Sequence, residues 1–322
     1  MVRGAGRVYS ARRNPHHGDG KTGSRAEAVN KGRTPFIVLM LAPAVTLYFV
    51  FVLYPMVQAF HLSTYSWSGL SSTKTFIGLA NYVQLFTEQP PEFLIYLGHN
   101  AIFLLVSALV MIPLALFFAV VLAGRTPGAG FLRAVYLFPN VISVVAVASL
   151  WYFIYDGDYG LLNAGLRLVH APVVEKGWVG DSSTAFYAII ATNIWATLGF
   201  YILLFTAGVQ NIPPSFTEAA ELDGASSLQT FRHVTLPLVW EVFKLGVLYL
   251  VIHSINLFGL VYVMNLNQKN SDTDVVLTYL YRKAFQESDF GYAAAIASVG
   301  FVIVLGAVLL SLKVLKREAV EY

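Results

Sequence analysis

Long charge-free stretches alternate with short polar ones along this chain. Asp, Glu, Lys and Arg serve as markers, because a membrane span needs about 20 apolar residues and a charge at its centre is costly. Six windows of at least 22 residues contain none of the four: Thr34 to Thr73, Phe93 to Gly124, Ala134 to Tyr155, Ser182 to Thr217, Leu245 to Gln268 and Phe290 to Leu312. The next longest, Thr75 to Thr87, has 13 residues and includes Gly78, Asn81 and Gln84, so it is too short and too polar to cross. The pattern predicts an all-α, polytopic membrane protein with helices over about 36–62, 99–123, 132–155, 185–210, 242–266 and 293–313. Residues 1–33 read as a disordered basic tail, 34–317 as the six-helix domain with a long loop at 211–240, and 318–322 as a second tail.

Composition supports lipid as the solvent. The chain is 57% hydrophobic and 12% charged, whereas soluble domains run at about 25% charged. The net charge of +3 is small, and the basic residues crowd the tail instead of forming a stripe among aromatics, which argues against nucleic acid as a partner. Cysteine is absent, excluding disulfides, thiolate metal sites and cysteine nucleophiles. Lys and Arg set the orientation: with the N-terminus inside, fifteen lie on the cytoplasmic side and six outside, so both termini are expected in the cytoplasm. A cleaved signal peptide would also be basic, but the apolar run after Arg33 far exceeds a signal core. Gly20-Lys21-Thr22 resembles the end of a phosphate-binding loop, but Pro15 stands where its first glycine belongs, so no nucleotide site is expected in this chain.

The loop between the fourth and fifth helices is the most informative stretch. Pro213 and Pro214 end a helix, Ser215 and Glu218 have capping-box spacing for a new one, and Asp223-Gly224 supplies a left-handed stop. A second short helix is expected from about Ser226 to Val234, leading to Pro237. The prediction is a helical elbow on the cytoplasmic face, with Glu218 near a helix N-terminus where a carboxylate is favoured.

Glu218-Ala219-Ala220, three residues, Gly224, nine residues and Val234-Thr235-Leu236-Pro237 resemble the EAA loop of binding-protein-dependent ABC importer permeases, with Val234 in place of the usual Ile. The resemblance runs over roughly 36–317 and is nearest to the first permease subunits of the maltose and glycerol-3-phosphate type. Phe76 to Tyr82, Gly130 to Arg133, Leu137 to Pro139, Tyr159 to Asn163, Trp178 to Asp181, Gly208 to Pro213, Tyr281 to Phe285 and Asp289 to Tyr292 carry it. Met264 to Asn270 departs from the Thr-x-Gly-Gly-Pro run common there. The resemblance implies the type I ABC importer permease fold, a bacterial inner-membrane location, a second permease forming a heterodimer, and a periplasmic or lipid-anchored solute-binding protein. It also implies two ATPase subunits that hold ATP and Mg, no cofactor in this chain, and a sugar or sugar-like solute. Glu218, Ala219, Ala220, Asp223, Gly224, Leu236 and Pro237 are then the ATPase-coupling residues.

Polar residues inside spans either serve function or act as hydrogen-bond glue between helices. Asn193, Thr197 and Tyr201 lie one turn apart on the fourth helix, and His253, Ser254, Asn256 and Leu257 cluster on the fifth. Amides, hydroxyls and an aromatic face suit a sugar, so these seven are candidates for the solute path, with helix packing as the other reading. Asn100, Asn140 and Trp195 read as helix-end and interface anchors, and Pro43, Pro55 and Pro113 as helix kinks. Asp156 and Asp158 read as the outer end of the third helix, and Asp272, Asp274, Glu287 and Asp289 as loop surface. An ion-coupled secondary transporter is the alternative function. Such transporters place a relay near mid-membrane, yet every Asp and Glu here falls outside the windows, leaving His253 alone. No catalytic constellation or metal-spaced cluster points to an enzyme.

Overall fold

The structure is a computed structural model that describes residues 22–124, 128–265 and 271–316. The chain divides into two compact units at Gln58/Ala59. In the first, α1 (Thr22–Tyr48) passes through a π-helical turn at Phe49–Leu53 into α2 (Tyr54–Leu62). The turn directly precedes Pro55, which has no N–H to bond the preceding turn. Most apolar side chains from Phe36 to Val57 are exposed, as a lipid-facing helix requires. The helix starts at Thr22, so the reading of residues 22–33 as disordered is corrected: Arg25, Ala26, Glu27 and Ala28 are good helix formers, which charge and glycine content concealed. Residues 1–21 lie outside the described part.

In the second unit a two-residue hairpin pairs β1 (Tyr65–Ser66) with β2 (Thr75–Phe76), followed by α3 (Ala80–Thr87) and α4 (Glu92–Ala123). Next come α5 (Ala129–Val141), α6 (Val144–Ile154), α7 (Leu161–Leu168) and α8 (Ala185–Gln210). The long loop holds α9 (Pro214–Leu222), α10 (Ser227–Thr230), a π-turn at Phe231–Thr235 and α11 (Leu236–Leu238). After it come α12 (Trp240–Ile255), α13 (Gly259–Asn265), α14 (Val276–Tyr281), a π-turn at Arg282–Gln286 and α15 (Phe290–Val314). The fourth span falls on the expected 185–210, and the sixth is extended at both ends.

The expected single helix over 132–155 is corrected. Its two halves, α5 and α6, meet at 97°. Ile142 and Ser143 are extended, with ψ of 141° and 137°, so the chain leaves helical geometry there. Hydropathy averages over such a corner. Among the described residues five helices are thus long and apolar enough to cross, or six if the bent pair is one span. The fifth span is interrupted at Asn256 to Phe258, between α12 and α13.

Three buried clusters hold this unit together. One joins α6, α8 and α13 around Val147, Ile189 and Val261; another joins α4, α8 and α12 around Met111, Phe205 and Leu250; a third joins α3, α4, α14 and α15 around Leu85, Tyr279 and Tyr292. Gly199 lets α8 approach α5 so closely that a Cβ there would collide with the Tyr136 carbonyl oxygen. Small residues are what permit such backbone contact between membrane helices.

Candidate transmission loop and solute path

The long loop folds as an elbow. Pro213 is extended and Pro214 takes the first helical position, where a fixed φ and a missing N–H do no harm. This moves Ser215 inside the first turn, so the expected Ser215–Glu218 capping box is corrected: α9 has no side-chain cap, and Glu218 is exposed in its second turn. The capping box occurs one element later, where Ser226 caps α10 and the Gln229 side chain returns to the Ser226 N–H at 2.7 Å.

The stop of α9 is as expected. Gly224 has φ of +76°, its N–H donates to the Glu221 carbonyl at 3.0 Å, and the Ala225 N–H donates to the Ala220 carbonyl at 2.9 Å. This is a Schellman ending with glycine at the left-handed position. Ala220 therefore contributes its carbonyl to the turn, while Glu218, Ala219 and Asp223 face outward. Leu236 packs against the α4–α8 cluster, and Pro237 lies half-buried beside it. The Trp240 indole donates to the Leu315 carbonyl at 3.0 Å, joining the base of the elbow to the end of α15. Phe216, Leu222 and Leu228 stand exposed on the elbow, Leu222 at 89%. A contiguous exposed apolar patch can mark a protein- or membrane-interaction site.

The seven path candidates separate. Asn193 and His253 meet across α8 and α12 at 3.4 Å. The Thr197 hydroxyl donates to the Asn193 carbonyl at 2.8 Å and approaches Met111 of α4. Tyr201, Ser254 and Leu257 are core residues, at 1%, 1% and 3% exposure. Asn256 is exposed at the break after α12. The Asn193–Thr197–Tyr201 face thus turns toward α4 and α12 inside this unit. Asn193 Oδ1, the Tyr201 hydroxyl and the Ser107 hydroxyl are buried without hydrogen-bond partners among the described residues. The ring that combines exposure with contact to this cluster is Tyr249, at 48% exposure, lying parallel to His253 and against Phe200. Sequence reading missed it, although Tyr249 and His253 are one helical turn apart.

Two loop-surface or anchor assignments are also corrected. Asn100 is a buried cross-brace: its amide donates to the Ser254 carbonyl at 2.6 Å and accepts from the Val276 N–H at 3.0 Å. Asp274 is largely buried and pairs with Arg282 at 3.2 Å. Arg282 also reaches Glu92 at 3.1 Å and the Tyr96 hydroxyl at 3.2 Å. Glu88 accepts from the hydroxyls of Tyr292 at 2.7 Å and Tyr279 at 3.0 Å. Burial works to raise the Glu88 pKa, but the Tyr292 and Tyr279 hydroxyls and Lys283 prevail and hold it below the ordinary carboxylate value. Burial dominates at Asp274 and pushes its pKa up against Thr278 and Arg282. These groups tie the starts of α4 and α15 to α14. Among the described residues no cluster of His, Asp and Glu is arranged to hold a metal.

Residues 100–316 match the family model described as binding-protein-dependent transport system inner membrane component. The chain is 34% identical over 285 residues to the probable ABC transporter permease protein YurN of Bacillus subtilis, covering 88% of this chain and 97% of that one. It is 32% identical to the trehalose/maltose transport system permease protein MalF of Thermococcus litoralis, over 86% of this chain and 92% of the other. Its fold matches a chain of the bacterial alginate ABC transporter solved with an alginate pentasaccharide-bound periplasmic protein. That likeness has a TM-score of 0.78 at 21% identity and covers 90% of this chain and 98% of that one.

Proposed function

The chain belongs to the family of binding-protein-dependent transport system inner membrane components, and on that premise we propose that it is one of two permease subunits of an ATP-driven importer for a sugar or oligosaccharide. It is a multi-pass, non-catalytic permease component of an ABC transporter. The solute class follows the names of its relatives, trehalose and maltose among them. In this reading both termini are cytoplasmic, a solute-binding protein delivers the solute to the outer mouth, and the partner permease completes the path. Two ATPase subunits supply ATP and Mg and move the elbows. Glu218, Ala219, Ala220, Asp223, Gly224, Leu236 and Pro237 transmit that motion, and Asn193, Thr197, Tyr201, His253, Ser254, Asn256 and Leu257 form or back the path.

The observation that carries the reading is the elbow itself: a glycine-ended helix with Phe216 and Leu222 exposed, followed by a second short helix with Leu228 exposed, on the face that the charge bias assigns to the cytoplasm. The test is co-purification of the ATPase with Leu222→Asp and Leu228→Asp variants, alongside uptake of labelled maltose or trehalose in cells. The expected result is normal permease abundance, loss of retained ATPase and loss of uptake. Full retention and uptake in the double variant would overturn the coupling role.

A further inference from the structure

A cavity of about 580 Å³ lies behind the elbow, between it and the cytoplasmic ends of α4 and α8. That volume is in the range of small-molecule sites. Its polar lining comes from Gln210 at the end of α8, Thr217 and Glu221 on α9, Ser227 and Thr230 on α10, and Thr235, with Phe231 supplying an aromatic ring; the Thr217 hydroxyl donates to the Pro214 carbonyl at 2.8 Å. Among the described residues the side chains of Gln210, Glu221, Ser227, Thr230 and Thr235 make no hydrogen bond with another side chain or the backbone. Thr235 is buried at 6% exposure and lines the inner wall, while Gln210, Glu221 and Ser227 stand at the water-exposed side. One amide, one carboxylate, four hydroxyls and a ring, with no cation among the described lining residues, suit a neutral polyhydroxylated ligand.

We propose that this cavity binds a neutral sugar from the cytoplasm and that its occupancy restrains the elbow, giving the importer feedback from accumulated solute. The inference rests on the sugar-importer reading above. Both arms of the elbow and the ends of two membrane helices contribute lining residues, so a bound sugar bridges parts that must shift when the ATPases pull. A ligand that binds one elbow position better than another biases the cycle by that difference in affinity.

The test uses the assembled transporter in proteoliposomes, with the elbows facing the bath that receives ATP and the loaded binding protein sealed in the lumen. Maltose or trehalose is added to the bath, with sorbitol as the osmotic control. The expected result is that sugar, but not sorbitol, lowers the stimulated ATPase rate. Thr230→Val combined with Thr235→Val should raise the half-inhibitory concentration about tenfold, equal to about 1.4 kcal/mol of binding. Gln210→Ala with Ser227→Ala is the second variant, used if the first does not assemble, and each variant is normalised to its own uninhibited rate. Equal inhibition of variant and wild type, or no inhibition while loaded binding protein still stimulates hydrolysis, would overturn this inference alone. Failure of any sugar-loaded binding protein to stimulate would remove the importer reading and this inference with it.

Discussion

Replacing Gly224 isolates the contribution of one backbone torsion to transport. Its φ of +76° lies in the left-handed region, and a Cβ added there would meet nothing within 4 Å. A side chain at this position therefore acts through backbone strain and not through collision. An L-residue in left-handed geometry costs about 1–2 kcal/mol, Asn being better tolerated and β-branched residues worse. Against this stand the two hydrogen bonds of the Schellman turn, each contributing about 1 kcal/mol net. No residue of α9 is buried, so tertiary packing does little to hold the turn. Strain and restraint are thus of similar size, and the elbow should be displaced in a graded manner. The expected order of uptake is Gly, then Asn, then Ala, with Val close to inactive, while the amount in the membrane stays constant. Uptake of labelled sugar and retention of the ATPase in pull-downs are the assays. A Val variant as active as wild type would refute the torsional argument, and an Asn variant as damaged as Val would show that a contact with the ATPase matters instead.

Replacing Asn193 and Thr197 together with Leu should impair transport while leaving assembly and basal ATPase activity intact, and loss of assembly would instead identify a helix-packing role. Gly199→Val should cost about 1–3 kcal/mol by driving a side chain into the Tyr136 backbone, lowering the melting temperature of the purified protein. Gly306→Ala, which meets nothing within 4 Å, should leave it unchanged. Because the pKa of Glu88 is held below its ordinary 4.5, the stability its carboxylate provides is fully present above that value and is lost as pH falls through the lower folded-state value. Glu88→Gln should flatten the acid limb of the stability curve, and an unchanged limb would exclude Glu88 from the ties that join α14 to the starts of α4 and α15.

What sequence could and could not reveal follows from the range of each interaction. The span at 185–210 and the turn at Gly224 are set by runs of apolar residues and by one torsion, both local, and both were legible. Ser215 was misread because Pro214 already starts the helix, a choice between two overlapping local signals. The brace from Asn100 to Ser254 and Val276 joins positions more than 150 residues apart, and a single sequence holds no trace of the pairing. Helical periodicity placed Asn193, Thr197 and Tyr201 on one face but could not say that this face turns inward toward α4 and α12. The corner at Ile142–Ser143 was hidden because composition reports how apolar a segment is and not where it points.

That corner gives the third span the mechanics of a bell crank. At 1.5 Å per residue its limbs measure about 20 Å and 16 Å, so the lever ratio is close to one. α5 is seated on α8 through Tyr136 and Gly199, while α6 packs with α13 through Val147, Val261 and their neighbours. A stroke delivered along one limb would emerge from the other turned through nearly a right angle and little reduced in length. Under the proposed importer reading, with both termini cytoplasmic, thrust delivered by the elbow would thereby become sideways travel, without any helix having to slide the full thickness of the bilayer.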